Sequence, residues 1–245
     1  MATNNYTKTK RSFTPLRKYA WLFTLLIAIG GLWEPRLGLL VIAVMAALTI
    51  TAMFKGRYWC GNVCPHGSLF DVVLLPISLN RKTPEFLKTK LFILAFFAFF
   101  MFNFGRRVVA SFQAWGEYDF ASRLGFVFVF TYLIVMIVGG LLAVLINPRV
   151  WCQFCPMGTM QKAAYLIGKS TGLSRMREEF VTISDLEKCA GCGKCEKVCP
   201  FQLAPYKNFE SHGKFRDINC IKCGVCTENC PLDLLSLEGE QSDER

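Results

Sequence analysis

Cys189-Ala190-Gly191-Cys192-Gly193-Lys194-Cys195-Glu196-Lys197-Val198-Cys199-Pro200 is answered further along the chain by Cys220-Ile221-Lys222-Cys223-Gly224-Val225-Cys226-Thr227-Glu228-Asn229-Cys230-Pro231. Each run is Cys-x2-Cys-x2-Cys-x3-Cys-Pro, the bacterial two-cluster iron–sulfur spacing, in which the fourth cysteine of each run ligates the other cluster. Three close cysteines wrap one cubane corner by corner, the distant fourth closes its neighbour, and the proline turns the chain away. The pattern predicts one [4Fe–4S] cluster on Cys189, Cys192, Cys195 and Cys230, and a second on Cys220, Cys223, Cys226 and Cys199. Zinc would want two pairs about one tetrahedral ion, leaving four cysteines per run and the trailing proline without a role. The chain has twelve cysteines in all. With eight spaced for ligation, six disulfides are a poor reading, and free thiolates belong in a reducing compartment.

Upstream of the runs the composition changes. The 245 residues are 53% hydrophobic and include 22 Phe, and the apolar excess lies almost entirely before residue 150, so a boundary falls near Asn147. Four stretches are candidate membrane spans: Tyr19–Trp33, Leu37–Phe54, Leu91–Phe104 and Leu124–Ile146. A spanning helix needs about 20 mainly apolar residues. The fourth stretch has them, the second nearly so, and the first and third need their flanks. Burial inside a soluble core is rejected, because too little polar sequence remains to cover four such helices. Trp21, Trp33 and Trp115 suit interfacial anchors. No small-residue cleavage site follows the first apolar run, so no cleavable signal peptide is expected.

The net charge of +10 could suggest nucleic acid, but the basic residues cluster beside the apolar stretches, so no nucleic-acid partner is expected. Lys8, Lys10, Arg11, Arg17 and Lys18 precede the first stretch, and Lys55, Arg57, Arg81, Lys82, Lys88 and Lys90 lie between the second and third. Only Arg36, Arg106, Arg107 and Arg123 fall on the opposite side. This asymmetry predicts a multi-pass protein of the cytoplasmic membrane with both termini in the cytoplasm.

The apolar half repeats itself. Gly56-Arg57-Tyr58-Trp59-Cys60-Gly61-Asn62-Val63-Cys64-Pro65-His66-Gly67 follows the second stretch, and Pro148-Arg149-Val150-Trp151-Cys152-Gln153-Phe154-Cys155-Pro156-Met157-Gly158 follows the fourth. Each copy reads as a two-helix hairpin, then Arg-x-Trp-Cys, then Cys-Pro-x-Gly, then a short apolar stretch (Ser68–Leu79, Thr159–Ile167). Two spans per copy make the copies parallel, with both cysteine pairs on one face and the trailing stretches lying on the surface as interfacial helices. Cys60, Cys64, Cys152 and Cys155 could together hold a third [4Fe–4S] cluster, another metal or a redox disulfide. Alternatively, each motif is only a tight turn ending a span.

Arg-x-Trp-Cys and Cys-Pro after alternate spans, with a two-cluster tail, resemble the NapH ferredoxin-type membrane proteins, related to the membrane regions of NosR and to the FixG/CcoG proteins. The resemblance covers nearly the whole chain after about residue 15. It implies electron movement between the membrane quinone pool and iron–sulfur or haem partners, within a multi-subunit complex. The family's motif is usually Cys-x3-Cys-Pro. Cys60 to Cys64 fits it, whereas Cys152 to Cys155 is one residue shorter.

Absences narrow the function. The two histidines, His66 and His212, lie outside the expected spans, which argues against a bis-histidine haem. There is no G-x-G-x-x-G motif for a dinucleotide. No charged residue sits mid-span to mark an ion path. Glu34 and Glu117/Asp119 read as solvated, as does His212 in the long insertion Phe201–Asn219. The aromatic run Phe96–Phe102 could line a quinone pocket or simply face lipid and packing neighbours.

The expected fold is therefore a mainly α membrane protein, with four transmembrane helices in two parallel hairpin repeats and a C-terminal α+β two-cluster ferredoxin domain. The segments are a cytoplasmic N-terminal region 1–18, a membrane domain 19–168 and a cytoplasmic ferredoxin domain 169–245. The expected role is an electron-transfer subunit of a quinol/quinone oxidoreductase complex, relaying electrons between the quinone pool, or a membrane partner, and a redox protein. Two readings compete with it: an assembly factor that reduces a metal ion for a respiratory oxidase, and an anchor subunit whose Cys-Pro motifs are structural.

Overall fold

The computed structural model describes residues 6–113, 115–116, 119–210 and 213–239. His212, Glu117 and the C-terminal residues 240–245 lie outside the described residues. The chain is mostly helical with one small sheet. Three helices among the described residues are long and apolar enough to cross a membrane: Pro35–Lys55, Lys90–Phe112 and Phe120–Leu145. The first is a 3-10 turn, Pro35–Leu39, leading into α3 (Leu40–Lys55); the others are α6 and α7. At 1.5 Å per residue, the 23 residues of α6 match a hydrocarbon core of about 30 Å.

The first apolar stretch does not form a fourth such helix. It divides into α1 (Pro15–Tyr19), α2 (Trp21–Ala28) and a 3-10 turn at Gly30–Leu32. Thr14 starts it, its hydroxyl accepting from the Arg17 N–H with Pro15 in the first turn, a strong helix-start combination. Gly30-Gly31 and Pro35 then break it. Gly31 is required by packing, since a Cβ there would overlap the Val129 side chain. Trp33 and Trp115 are exposed, as anchors would be. Trp21 instead packs against the core, and its N–H donates to the Ser68 hydroxyl.

Helical periodicity sorts the aromatic run of α6. Phe96 packs edge-on against Trp151 and Phe154 at 5.8 and 5.1 Å between ring centroids. Phe100 and Phe104 lie one and two turns further along that face, while Phe99 and Phe102 point outward.

The trailing stretches differ most from expectation. After α4 (Tyr58–Asn62), α5 (Pro65–Ser68) continues as a π-helical turn, Leu69–Leu74. One face of this segment packs on the protein, while Val73, Ile77 and Leu79 remain exposed. The His66 ring lies tilted against that of Tyr132, 4.4 Å between centroids, Phe70 is fully buried against Gly139, the Ser78 hydroxyl donates to the Ala143 carbonyl, and the Arg81 N–H to that of Ile146. It thus runs alongside α7 from mid-helix to the α7 C-terminus. After α8 (Val150–Phe154), α9 (Pro156–Ser170) runs in the same way along α3, where Gly168 meets the Met53 carbonyl so closely that no Cβ fits. Each Cys-Pro motif is the tip of a re-entrant turn. Irregular backbone at such depth survives only where protein surrounds it, and here the helix of the other sequence copy does so.

The cysteine-rich segment forms an antiparallel sheet in the order β2-β1-β3, with β1 at Glu179–Ile183, β2 at Lys214–Phe215 and β3 at Leu235–Gly239. Val181 pairs with Phe215 on one side and Leu237 on the other. The long insertion supplies edge strand β2. The short helix α10 (Lys194–Lys197) lies within the first cysteine run.

Candidate metal centres

The eight cysteines of the two runs ring two cavities. One is lined by Cys199, Cys220, Cys223 and Cys226; the other by Cys189, Cys192, Cys195 and Cys230. In each, three cysteines of one run meet the fourth of the other. The loops match turn for turn: Gly191 and Lys222 have φ of +60° and +52°, Gly193 and Gly224 +68° and +72°, and Gln202 and Asp233, three residues after each fourth cysteine, +58° and +49°. Left-handed backbone is unfavourable for Lys222. Its ammonium is held nearby by Glu178 at 3.2 Å, beneath the rings of Tyr165 and Phe180.

Buried Val181 and Phe215 line the Cys199/Cys220/Cys223/Cys226 cavity. Burial pushes the Cys199 thiol up to about 12 and Cys220 to about 11, with the neighbouring cysteines adding to the effect. Such thiols stay protonated at neutral pH unless a bound cation displaces the proton.

Cys60, Cys64, Cys152 and Cys155 line a third, mostly apolar cavity. Cys64 and Cys155 cap the helices opened by Pro65 and Pro156, so two helix N-termini, with their positive dipole ends, face the site. The repeated arginines are exchanged between the copies. Arg57 Nη2 donates to the Cys152 carbonyl at 2.8 Å and lies 3.8 Å from Cys60 Sγ. Arg149 Nη1 donates to the Cys60 carbonyl at 2.9 Å and lies 3.7 Å from Cys152 Sγ. The glycine of each Cys-Pro-x-Gly makes room for the other copy's arginine: a Cβ on Gly67 would overlap Arg149, and one on Gly158 would come within 2.7 Å of Arg57.

Two observations test whether this site suits a thiolate-ligated cluster. Among the described residues, Trp151 Nε1 on the cavity wall is a buried donor without an acceptor, and so are Nε and Nη1 of Arg57, whose Nη2 lies beside Cys60. Buried donors are rarely left unpaired, and cluster sulfurs accept such hydrogen bonds. The donor set is therefore the right one. Among the described residues no three His, Cys, Asp or Glu side chains gather closely enough for a single ion; the cysteines are spread around cavities instead.

The membrane-half site and the Cys199/Cys220/Cys223/Cys226 cavity are neighbours in one core. Phe201, Ile221, Cys199 and Cys223 pack with Cys60, Trp151, Cys152 and Phe154. Gly61 lies against the Ile221 carbonyl with no space for a Cβ, Asn62 Nδ2 donates to the Lys222 carbonyl, and the Arg57 guanidinium sits 4.7 Å from the Phe201 ring centre. Gln202 accepts from the Thr83 N–H and donates to the Arg81 carbonyl.

The sequence reading gave Arg149 no role and Arg57 only a topological one. Their recurrence at matched positions was the available signal. It missed Asp71, the lone acidic residue of an apolar stretch, which binds Arg149 and Arg17 at 2.6 Å and Arg11 at 3.4 Å. Arg11, Arg17 and Arg57, counted there as topology charges, are buried. Glu34 is exposed and caps the Pro35–Leu39 turn.

The sequence family described as a 4Fe-4S binding domain matches the chain twice, over residues 37–84 and 128–174. The two matches coincide with the two repeated motifs. A second family, described as a 4Fe-4S dicluster domain, matches residues 188–235, which hold both cysteine runs. No curated protein and no solved structure matches the chain. The matches carry 4Fe–4S binding into both halves of the chain, in keeping with a ferredoxin-like iron–sulfur protein that has helices able to cross a membrane.

Proposed function

We propose that this chain is a membrane-bound electron relay between the quinone pool, or a membrane partner, and a redox protein. Cys189, Cys192, Cys195 and Cys230 would hold one cluster, and Cys220, Cys223, Cys226 and Cys199 a second, with a third on Cys60, Cys64, Cys152 and Cys155. The observation that carries the reading is the row of three four-cysteine cavities, of which the middle one shares a core with that of the membrane half. Bound [4Fe–4S] clusters supply one-electron transfer at potentials set by their surroundings. The chain's own residues fix the membrane half against the neighbouring loop through Gly61, Asn62 and Gln202. The third cavity continues past its cysteines along Val41, Met45, Phe100 and Phe128. Such an apolar extension suits entry of a quinone ring from the bilayer.

Anaerobically purified protein should carry about twelve iron atoms per chain, against about eight if the membrane-half cysteines hold none. Cys60→Ser or Cys152→Ser should remove one cluster's iron and leave the other two signals. With its partner subunits present, a reduced quinone analogue should change the clusters' oxidation state, and Cys192→Ser or Cys223→Ser should stop that exchange. Clusters that ignore quinone but respond to a docked subunit would replace the quinone arm with a protein-to-protein relay.

A further inference from the structure

Arg57 and Arg149 are equivalent in sequence but not in charge balance. Arg149 is neutralised by Asp71 through Nε at 3.1 Å and Nη2 at 2.6 Å. Arg57 is 2% exposed and, among the described residues, has no carboxylate partner; two of its three nitrogens lack any acceptor. A buried guanidinium without a counter-charge is strongly unfavourable, so its position calls for an anion. Its direct contacts are Cys60 Sγ, the Cys152 carbonyl and the Phe201 ring; Glu178 and Asp217 line the polar pocket it borders, with no ion pair to it among the described residues. Of the contacting groups Cys60 is the one that can carry negative charge, and four thiolates around an iron–sulfur core leave that core with net negative charge.

We propose that Arg57 and Arg149 are positioning residues, exchanged between the two sequence copies to set the spacing of the four membrane-half cysteines, and that the charge of Arg57 favours the reduced form of the cluster held there. This rests on the reading that those cysteines hold a cluster. Reduction adds negative charge, and a fixed positive charge in a low-dielectric site stabilises the reduced form more than the oxidised. Arg149, already paired, sets geometry more than charge. Because Arg57 also lies on Phe201, two residues from Cys199, its influence extends to the adjoining cavity and fades before the Cys189/Cys192/Cys195/Cys230 cavity.

The test is a potentiometric titration of anaerobically purified full-length protein, followed by electron paramagnetic resonance with iron analysis alongside. Arg57→Gln should keep about twelve iron atoms. It should lower the reduced-to-oxidised ratio of the membrane-half signal at least tenfold at fixed potential, equivalent to 59 mV for one electron. The adjoining signal should shift less in the same direction, and the far one not at all. Arg57→Lys, which keeps the charge, should restore most of the ratio. Gly158→Ala, which crowds the guanidinium without removing it, should give a smaller shift of the same sign, and it carries the test if Arg57→Gln does not fold. A membrane-half signal unmoved in Arg57→Gln, three signals moving together, or a lysine variant no better than glutamine would each overturn the proposal. Wild-type iron near eight would instead remove the third cluster itself, and the proposal with it.

Discussion

Asp71 sits fully buried between three arginines drawn from two distant parts of the chain, Arg11 and Arg17 before the first apolar stretch and Arg149 in the second motif. Burial alone would raise its pKa, but the three guanidiniums outweigh this and hold the carboxyl well below the usual carboxylate range. A depressed carboxylate contributes stability that is fully present above its unfolded pKa and is lost only as pH falls through the folded value. The network should therefore survive mild acid unchanged. Asp71→Asn leaves three buried cations uncompensated. We expect it to cost about 3–5 kcal/mol, read as a large drop in the thermal midpoint of purified protein between pH 6 and 8; a midpoint within error of wild type would reject the role. None of this could be read from sequence. Arg11 and Arg17 look like ordinary flanking charges, because an ion-pair partner some sixty residues away is a product of tertiary packing. The cysteine runs were legible because cluster ligation fixes spacing along the chain itself.

At the level of elements, the two copies embrace. The re-entrant segment after α4 packs on α7, and α9 packs on α3, so each spanning helix supports the motif of the other copy. The repeat was visible in the sequence, but this exchange was not, since short apolar stretches read equally well as interfacial helices or as packed ones. The first stretch likewise carries enough apolar residues to suggest a span, but it divides at Ala20 and again at Gly30-Gly31. Close backbone contact makes the embrace testable. A side chain at Gly168 would collide with the Met53 carbonyl, whereas one at Gly105 on α6 would meet nothing within 4 Å. Gly168→Leu should destabilise by roughly 1–3 kcal/mol or more through overpacking, with loss of the membrane-half iron, and Gly105→Leu should do neither. Equal behaviour of the two variants in thermal melts would show that α3 and α9 are not held by this contact.

Taken whole, the molecule has a chemically distinct end. The cysteine-run segment docks where α3 ends and α6 begins: Lys55 pairs with Glu179, Gln202 bonds the Arg81 carbonyl, and the Thr7 N–H of the N-terminal segment donates to the Lys197 carbonyl. That end gathers Lys55, Arg81, Lys82, Lys88 and Lys90, while the far ends of the long helices carry only Arg36, Arg106, Arg107 and Arg123. Several of the basic residues first counted toward orientation are buried in ion pairs or against rings, yet those that remain exposed keep the same bias. Positive loops stay in the cytoplasm, and iron–sulfur ligation requires thiols kept reduced, a condition the cytoplasm supplies. Two independent requirements thus lead to one prediction, that this end faces the cytoplasm. A reporter fused after Arg245 should be active in its cytoplasmic form, and one inserted at Gly116, between α6 and α7, in its external form. Removing the charge of Lys82, Lys88 and Lys90 together should weaken that orientation without unfolding the docked segment, because Glu85 is the one ion-pair partner Lys82 and Lys88 have among the described residues. A C-terminal reporter active only on the outside would overturn both the charge argument and the redox one, since the clusters would then face an oxidising compartment.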